Sequence, residues 1–155
     1  MPAAVKSGLQ RLFSLMAIVA VAGIAVSSVS LQHHYARSKT AYCDFGAAFN
    51  CDIVNRSDYS EILGIPVALI GMAGYGAVLV LATLRRERRD SPGLLLAGSA
   101  AGLCFALYLT YIEGHVLGVW CILCLSSLAA ISIITLLSVV LWFRNRSQSL
   151  LRNKA

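Results

Sequence analysis

Charge is what this sequence has least of. Only 13% of its 155 residues are Asp, Glu, Lys or Arg, against about 25% in an ordinary soluble domain. That scarcity excludes a conventional water-soluble globule. Four long apolar runs, 12–31, 62–84, 94–113 and 117–143, carry no formal charge except Glu113 in the last turn of the third. About 20 apolar residues at 1.5 Å each cross the hydrocarbon core of a bilayer. The reading is an all-α polytopic membrane protein: one domain over 1–155 and a bundle of four transmembrane helices at about 12–31, 62–84, 94–113 and 117–143. A membrane helix, rather than a cleavable leader, is the expectation for the first run, although Ser27, Ser28 and Ser30 flank it. The first run is long for a signal sequence, and no A-x-A site follows it. Internal repeats and low-complexity tracts are absent.

The basic residues that do occur are unevenly placed. Lys6 and Arg11 precede the first run, Arg85, Arg86, Arg88 and Arg89 fill the connection after the second, and Arg144, Arg146, Arg152 and Lys154 follow the fourth. Arg37, Lys39 and Arg56 share the 32–61 connection with Asp44, Asp52, Asp58 and Glu61, and the turn between runs three and four has no Lys or Arg. The positive-inside rule places both termini in the cytoplasm and the 32–61 loop outside. The net charge of +6 is then a topology signal, and nucleic acid is not an expected partner.

The 32–61 loop is the one long connection, and its aromatic and apolar residues predict a folded lid on the bundle. Ser57-Asp-Tyr-Ser-Glu61 predicts a short surface helix, and His33 and His34, which open the loop, are expected to be solvated. Gly64 and Pro66 are expected to open helix two, with Pro66 tolerated in its first turn. Gly71, Gly74 and Gly76, and Ala97, Gly98, Ala101 and Gly102, read as small-residue stripes for close helix packing. Asn55-Arg-Ser57 matches the glycosylation pattern, unless a buried lid hides it.

Five cysteines remain. Cys104, half-way along helix three, is expected to be a small buried hydrophobe. The other four map to the outer side: Cys43 and Cys51 in the loop, Cys121 and Cys124 at the mouth of helix four. Residues i and i+3 at a helix start share a face, and unpaired N–H groups there favour a thiolate. Spacing does not say which of the two is the more reactive. A structural Cys43–Cys51 bridge, a structural 121–124 bridge and a four-cysteine zinc site are the alternatives. Haem attachment would need His where Leu125 stands. No haem, flavin or iron–sulfur motif is present, so a membrane pair passing electrons onward through thiol–disulfide exchange points to a lipophilic quinone, with no metal, haem or flavin expected.

Taken together, Cys43-D-F-G-A-A-F-N-Cys51, Ser57, the stretch L-G-I-P-V-A-L-I-G over 63–71 and Cys121-I-L-Cys124 resemble the vitamin K epoxide reductase family in its bacterial form, without a fused thioredoxin-like domain. The resemblance covers roughly residues 10–143. It implies a four-helix bundle around a quinone, ubiquinone or menaquinone, capped by the 1–2 loop. By the family pattern Cys43 exchanges with a DsbA-like or thioredoxin-like extracytoplasmic dithiol protein, Cys51 passes electrons to Cys121, and Cys124 stands nearest the quinone. Ser57 matches a serine that supports loop closure.

Vertebrate members carry Asn and Tyr where this chain has Ser60 and Leu128, which favours plain quinone reduction over epoxide reduction. Glu113 and His115, at the outer end of helix three, are candidates for proton transfer. The expected activity is reoxidation of a secreted dithiol protein at the expense of a membrane quinone, in the inner membrane, with the site at its outer face. The alternatives are a vitamin K epoxide or quinone reductase driven by a dithiol protein, and a non-catalytic membrane subunit stabilised by a disulfide.

Overall fold

In the computed structural model the described residues are 3–35, 43, 48–84 and 91–153, with side chains described from 8 to 147 within them. The basic 85–90 connection and the loop residues 36–42 and 44–47, with Tyr42 and Phe45, lie outside this set.

Four helices form the body: α1 (Ala3–Tyr35), α3 (Val67–Thr83), α4 (Ser91–Ile112) and α5 (Ile122–Asn153). The five-residue α2 (Cys51–Asn55) lies between α1 and α3 in the chain. The segments Gly8–Tyr35, Ser91–Leu117 and Ile122–Ser147 are long and apolar enough to cross a membrane, and Val67–Thr83 is a shorter apolar helix. The chain is thus an all-α membrane protein. Apolar residues cover its outside as well as its inside: Ile18, Leu107, Tyr108, Leu136 and Phe143 are all exposed. That pattern suits lipid tails, which are as apolar as the core.

The helices overrun the apolar runs. Helix α1 extends beyond 12–31 at both ends, and α5 continues past 143 through the basic residues to Asn153. Helical backbone satisfies its own polar groups, so it has no reason to stop where the side chains turn polar. The second helix departs the other way. Residues 61–66 form a hairpin, β1 (Glu61–Ile62) against β2 (Ile65–Pro66), with Glu61 opposite Pro66 and Ile62 opposite Ile65. Leu63 and Gly64 make the turn, with φ of 53° and 78°; two successive positive values are what a tight two-residue hairpin of this hand requires. Pro66 therefore precedes α3 as its cap rather than sitting in its first turn, and Gly64 serves the turn.

Helix α1 packs against α3 and α5, and α4 against α5. Phe13, Met16, Ala20, Tyr75, Leu95 and Ile134 belong to the central apolar cluster. The glycine stripes do two different things. A Cβ on Gly71 would stand 3.0 Å from Ser27 Oγ, and one on Gly102 3.3 Å from Ile131, so these allow close approach as expected. Gly74, Gly76 and Gly98 meet nothing within 4 Å; Gly74 and Gly98 border a cavity instead. Cys104 is exposed, on the outer surface of α4, not buried as helical position alone suggested.

The tightest approach was not signalled by any stripe. A Cβ on Gly23 would lie 2.5 Å from the Tyr75 ring. That ring cannot swing aside, because the Tyr75 hydroxyl donates to the Ser127 carbonyl at 2.8 Å and lies 2.9 Å from Ser127 Oγ. Gly23→Ala should therefore cost about 1–3 kcal/mol, the range for overpacking. Adding Tyr75→Leu should recover part of the loss. Thermal unfolding of the two variants in the same detergent checks both.

Candidate functional site

The site gathers at one end of the bundle, where α1 and α4 finish and α3 and α5 begin. Helix α4 runs into a π-helical turn, Glu113–Leu117, closed by Gly118 in the left-handed region at φ 66°. The carbonyl of Glu113 accepts from both Gly118 and Val119. Chain direction reverses there, and residues 119–121 lead into α5. Trp120 crosses back over Gly114, where a Cβ would come within 2.8 Å of the indole.

Residues 48–50 of the loop pair with this strand-like stretch. Phe49 bridges Trp120 in parallel, Asn50 N–H donates to the Trp120 carbonyl at 3.0 Å, and Trp120 N–H donates to the Ala48 carbonyl at 2.9 Å. Asn50 then caps α2, its side chain accepting from Ile53 N–H at 3.0 Å, and α2 carries Cys51 inward. Cys43 and Cys51 form a disulfide, with Cα atoms 5.6 Å apart. The expected short helix at 57–61 is a single 3-10 turn, Asp58–Ser60.

The four outer cysteines meet in one buried cluster: Cys43, Cys51, Val54 and Cys121, with Cys124 packed against it. Cys121 and Cys124 are free thiols. Cys121 is fully buried and immediately precedes α5, so its sulfur takes the place of a capping oxygen. The Cys124 N–H donates to it at 3.4 Å. Hydrogen bonding from the Cys124 thiol, aided by this N–H, holds the Cys121 thiol below its ordinary value against the opposing effects of burial and the Glu113 charge. Spacing alone does not distinguish the two thiols; the cap position does, with the Cys121 sulfur the one that accepts the Cys124 N–H.

Glu113 sits beside the pair. It is 2% exposed, its Oε2 accepts from Cys121 N–H at 3.1 Å, and its carboxyl interacts with the Cys124 thiol. Oε1 is buried without a well-formed hydrogen bond among the described residues. His115, two residues on, is elsewhere: it stacks on Tyr111 at 4.4 Å and is exposed. The two proton-transfer candidates are thus separated.

A cavity of about 340 Å³ runs between the helices and reaches Cys124, Glu113, Ser57, Ser60, Tyr75 and Ser127. Such a volume falls at the lower end of small-molecule sites. Ser57 Oγ donates to the Val54 carbonyl at 2.8 Å, and Ser60 Oγ to the Ser57 carbonyl at 2.7 Å. Both serines thereby brace the loop while facing the cavity. Leu128 is half-buried and lies outside the cavity wall, its neighbour Ser127 taking the facing position.

Two features of this end depend on tertiary contacts. His33 and His34 are not solvated loop residues but the last turn of α1. His33 Nδ1 lies 3.2 Å from Asp52 Oδ1; His34 Nδ1 lies 2.6 Å from the Asn55 carbonyl and its Nε2 3.1 Å from Glu61 Oε1. They fasten the lid to α1, a role that only tertiary contact reveals. Asn55 is 7% exposed, with both ends of its amide engaged. Folded protein presents no glycosylation acceptor there. Among the described residues, no cluster of three or more His, Cys, Asp or Glu is placed to hold a metal.

A disulfide packed against a dithiol at the mouth of a membrane helix is an arrangement suited to thiol redox chemistry. Residues 14–140 match the family model for the Vitamin K epoxide reductase family, and the chain belongs to that family.

Accessibility orders the free thiols. Cys104 is exposed and Cys121 wholly buried. A membrane-permeant maleimide should label Cys104 first in the folded protein, with the buried Cys121 modified far more slowly. Peptide mapping without reductant should recover Cys43 joined to Cys51.

Proposed function

We propose that this protein is a quinone-dependent thiol–disulfide oxidoreductase, one membrane domain of four spans in the inner membrane. Both termini lie in the cytoplasm and the cysteines at the outer face. Its dithiol partner is a DsbA-like or thioredoxin-like extracytoplasmic protein, and the activity supports disulfide-bond formation. One observation carries the reading: Cys124 faces an apolar cavity while Cys121, beside it, is buried against the Cys43–Cys51 disulfide. One thiol of the pair thus looks toward the membrane interior and the other toward the lid.

In this reading the partner's thiolate attacks Cys43, and the loop pair is reduced. Cys51 thiolate attacks the oxidised Cys121–Cys124 pair, forming a Cys51–Cys121 bond and releasing Cys124. Cys43 then closes on Cys51 and frees Cys121. A quinone in the cavity supplies a two-electron, two-proton acceptor. The cavity fits it: largely apolar walls with the Ser57 and Ser60 hydroxyls, the Tyr75 hydroxyl and the Glu113 carboxyl at the cysteine end. In this reading Glu113, in contact with the Cys124 thiol, takes the thiol proton as the Cys121–Cys124 pair is oxidised and gives it to the reduced quinone, whereas His115, stacked on Tyr111 and exposed, has no part. With Leu128 off the wall, Ser60 is the remaining polar side chain at the two positions where vertebrate members carry Asn and Tyr, which supports plain quinone reduction.

The purified protein should oxidise a reduced thioredoxin-like protein only when ubiquinone or menaquinone analogue is added. Replacing any one of Cys43, Cys51, Cys121 or Cys124 by Ser should abolish turnover. Quinone-independent oxidation, or none with any dithiol protein, would overturn the reading. Appreciable turnover of vitamin K epoxide would reverse the substrate preference. In the same assay Glu113→Gln should lower the rate about 10²-fold or more, as loss of a positioned acid–base group does, whereas His115→Gln should leave it unchanged.

A further inference from the structure

The thiol chemistry above assigns nothing to Asn55, yet both ends of its side-chain amide are engaged. It is 7% exposed and ends α2, two residues before Ser57. Its Oδ1 accepts from Ser30 Oγ at 2.6 Å. An amide oxygen held by a hydroxyl fixes which way the group points, so the nitrogen must face the opposite side. There Nδ2 lies 3.9 Å from Cys121 Sγ, within reach of an N–H···S contact. The Asn55 carbonyl is held separately by His34. Ser30 on α1 thus orients a donor, carried by the lid, onto a sulfur at the start of α5.

We propose that the Asn55 amide is a catalytic group of the internal thiol exchange, donating Nδ2–H to the Cys121 sulfur while that sulfur carries the negative charge. This rests on the functional reading above. The step it serves is balanced within the chain. Cys43 thiolate attacks Cys51 of the Cys51–Cys121 disulfide; the Cys43–Cys51 bond forms, the Cys51–Cys121 bond breaks, and Cys121 leaves as thiolate with the electron pair. The structure shows the bonding that this step produces, Cys43 joined to Cys51 and Cys121 free. A better-stabilised leaving thiolate departs faster, and the helix start supplies only part of the stabilisation. Asn55 adds a donor that exists only when the lid is seated. The departure of Cys121 is therefore favoured when Cys51 is in place and disfavoured when the lid lifts.

The titratable side chains acting on Cys121 are Glu113 from the π-turn and Cys124 from α5. The lid faces it with a disulfide, which carries no proton. The test uses the full chain in detergent with Cys104→Ser and Cys124→Ser, the Cys43–Cys51 bond intact, and follows the pH profile of iodoacetamide labelling at Cys121 by mass. Neither quinone nor dithiol partner is needed, so failure of the oxidation assay and failure of this proposal are separate results. Asn55→Ala should move the profile to higher pH and slow labelling near neutrality about tenfold, the scale of a hydrogen bond to a charged group. Asn55→Asp, which keeps the Ser30 contact but replaces the donor with a carboxylate, should move it further. Ser30→Ala, freeing the amide to rotate, should move it less. An unmoved midpoint in folded Asn55 variants overturns the proposal, as does a changed maximal rate without a shift. Should both Asn55 variants fail to fold, an unmoved profile in Ser30→Ala overturns it equally.

Discussion

The cysteine end of this molecule depends on two backbone hydrogen bonds, Asn50 N–H to the Trp120 carbonyl and Trp120 N–H to the Ala48 carbonyl. A chain leaving one membrane helix and entering another exposes backbone that lipid cannot solvate, and irregular segments survive at that depth only when paired. Here the two irregular segments pair with each other. The consequence is positional. The loop's second cysteine follows directly from the bridged residues, and the first cysteine of the CxxC follows directly from Trp120. Satisfying two polar groups therefore places Cys51 and Cys121 side by side. Gly118 and Gly114 permit the geometry, one by turning the chain at positive φ and the other by giving the indole room.

Around that pairing the polar residues of the lid are used twice. Asp52 and Glu61 hold the histidines that end α1, and Ser57 and Ser60 brace their own turn while facing the cavity. Cys121 is held by groups from three elements: its sulfur by Cys124 on α5 and Asn55 on the lid, its backbone N–H by Glu113 on the π-turn. None of these contacts is strong in isolation. Their effect comes from burial, where a partner for a charged or polar atom is worth more than in water.

Sequence reading recovered what repetition and chemistry make visible. Twenty-residue apolar runs predict membrane helices whatever their neighbours do, and CxxC at a helix start identifies itself. It failed where identity depends on partners. Leu63 is an unlikely residue at positive φ and is 99% exposed, so only its neighbour Gly64 hinted at the hairpin that displaced the start of α3. His33 and His34 looked like loop residues because the apolar run had ended, although the helix had not. Asn55 carried a glycosylation pattern by coincidence of spacing; its burial is a property of the lid's position, which no local pattern encodes. Glu113 and His115 were indistinguishable as neighbours on a predicted helix, and the π-turn separates them. Cys104 sits mid-helix in any register, and only packing decides which side of α4 faces lipid.

The cavity has walls partly built from absent side chains. At Gly74 and Gly98 a methyl group would meet no atom within 4 Å, so neither glycine is required by the helix contacts around it. Substitution there would subtract space from the chamber while leaving the packing of α3 and α4 untouched. Chamber size and bundle stability are thereby uncoupled, and a lineage could fit this protein to bulkier or slimmer membrane-soluble electron carriers by single small replacements.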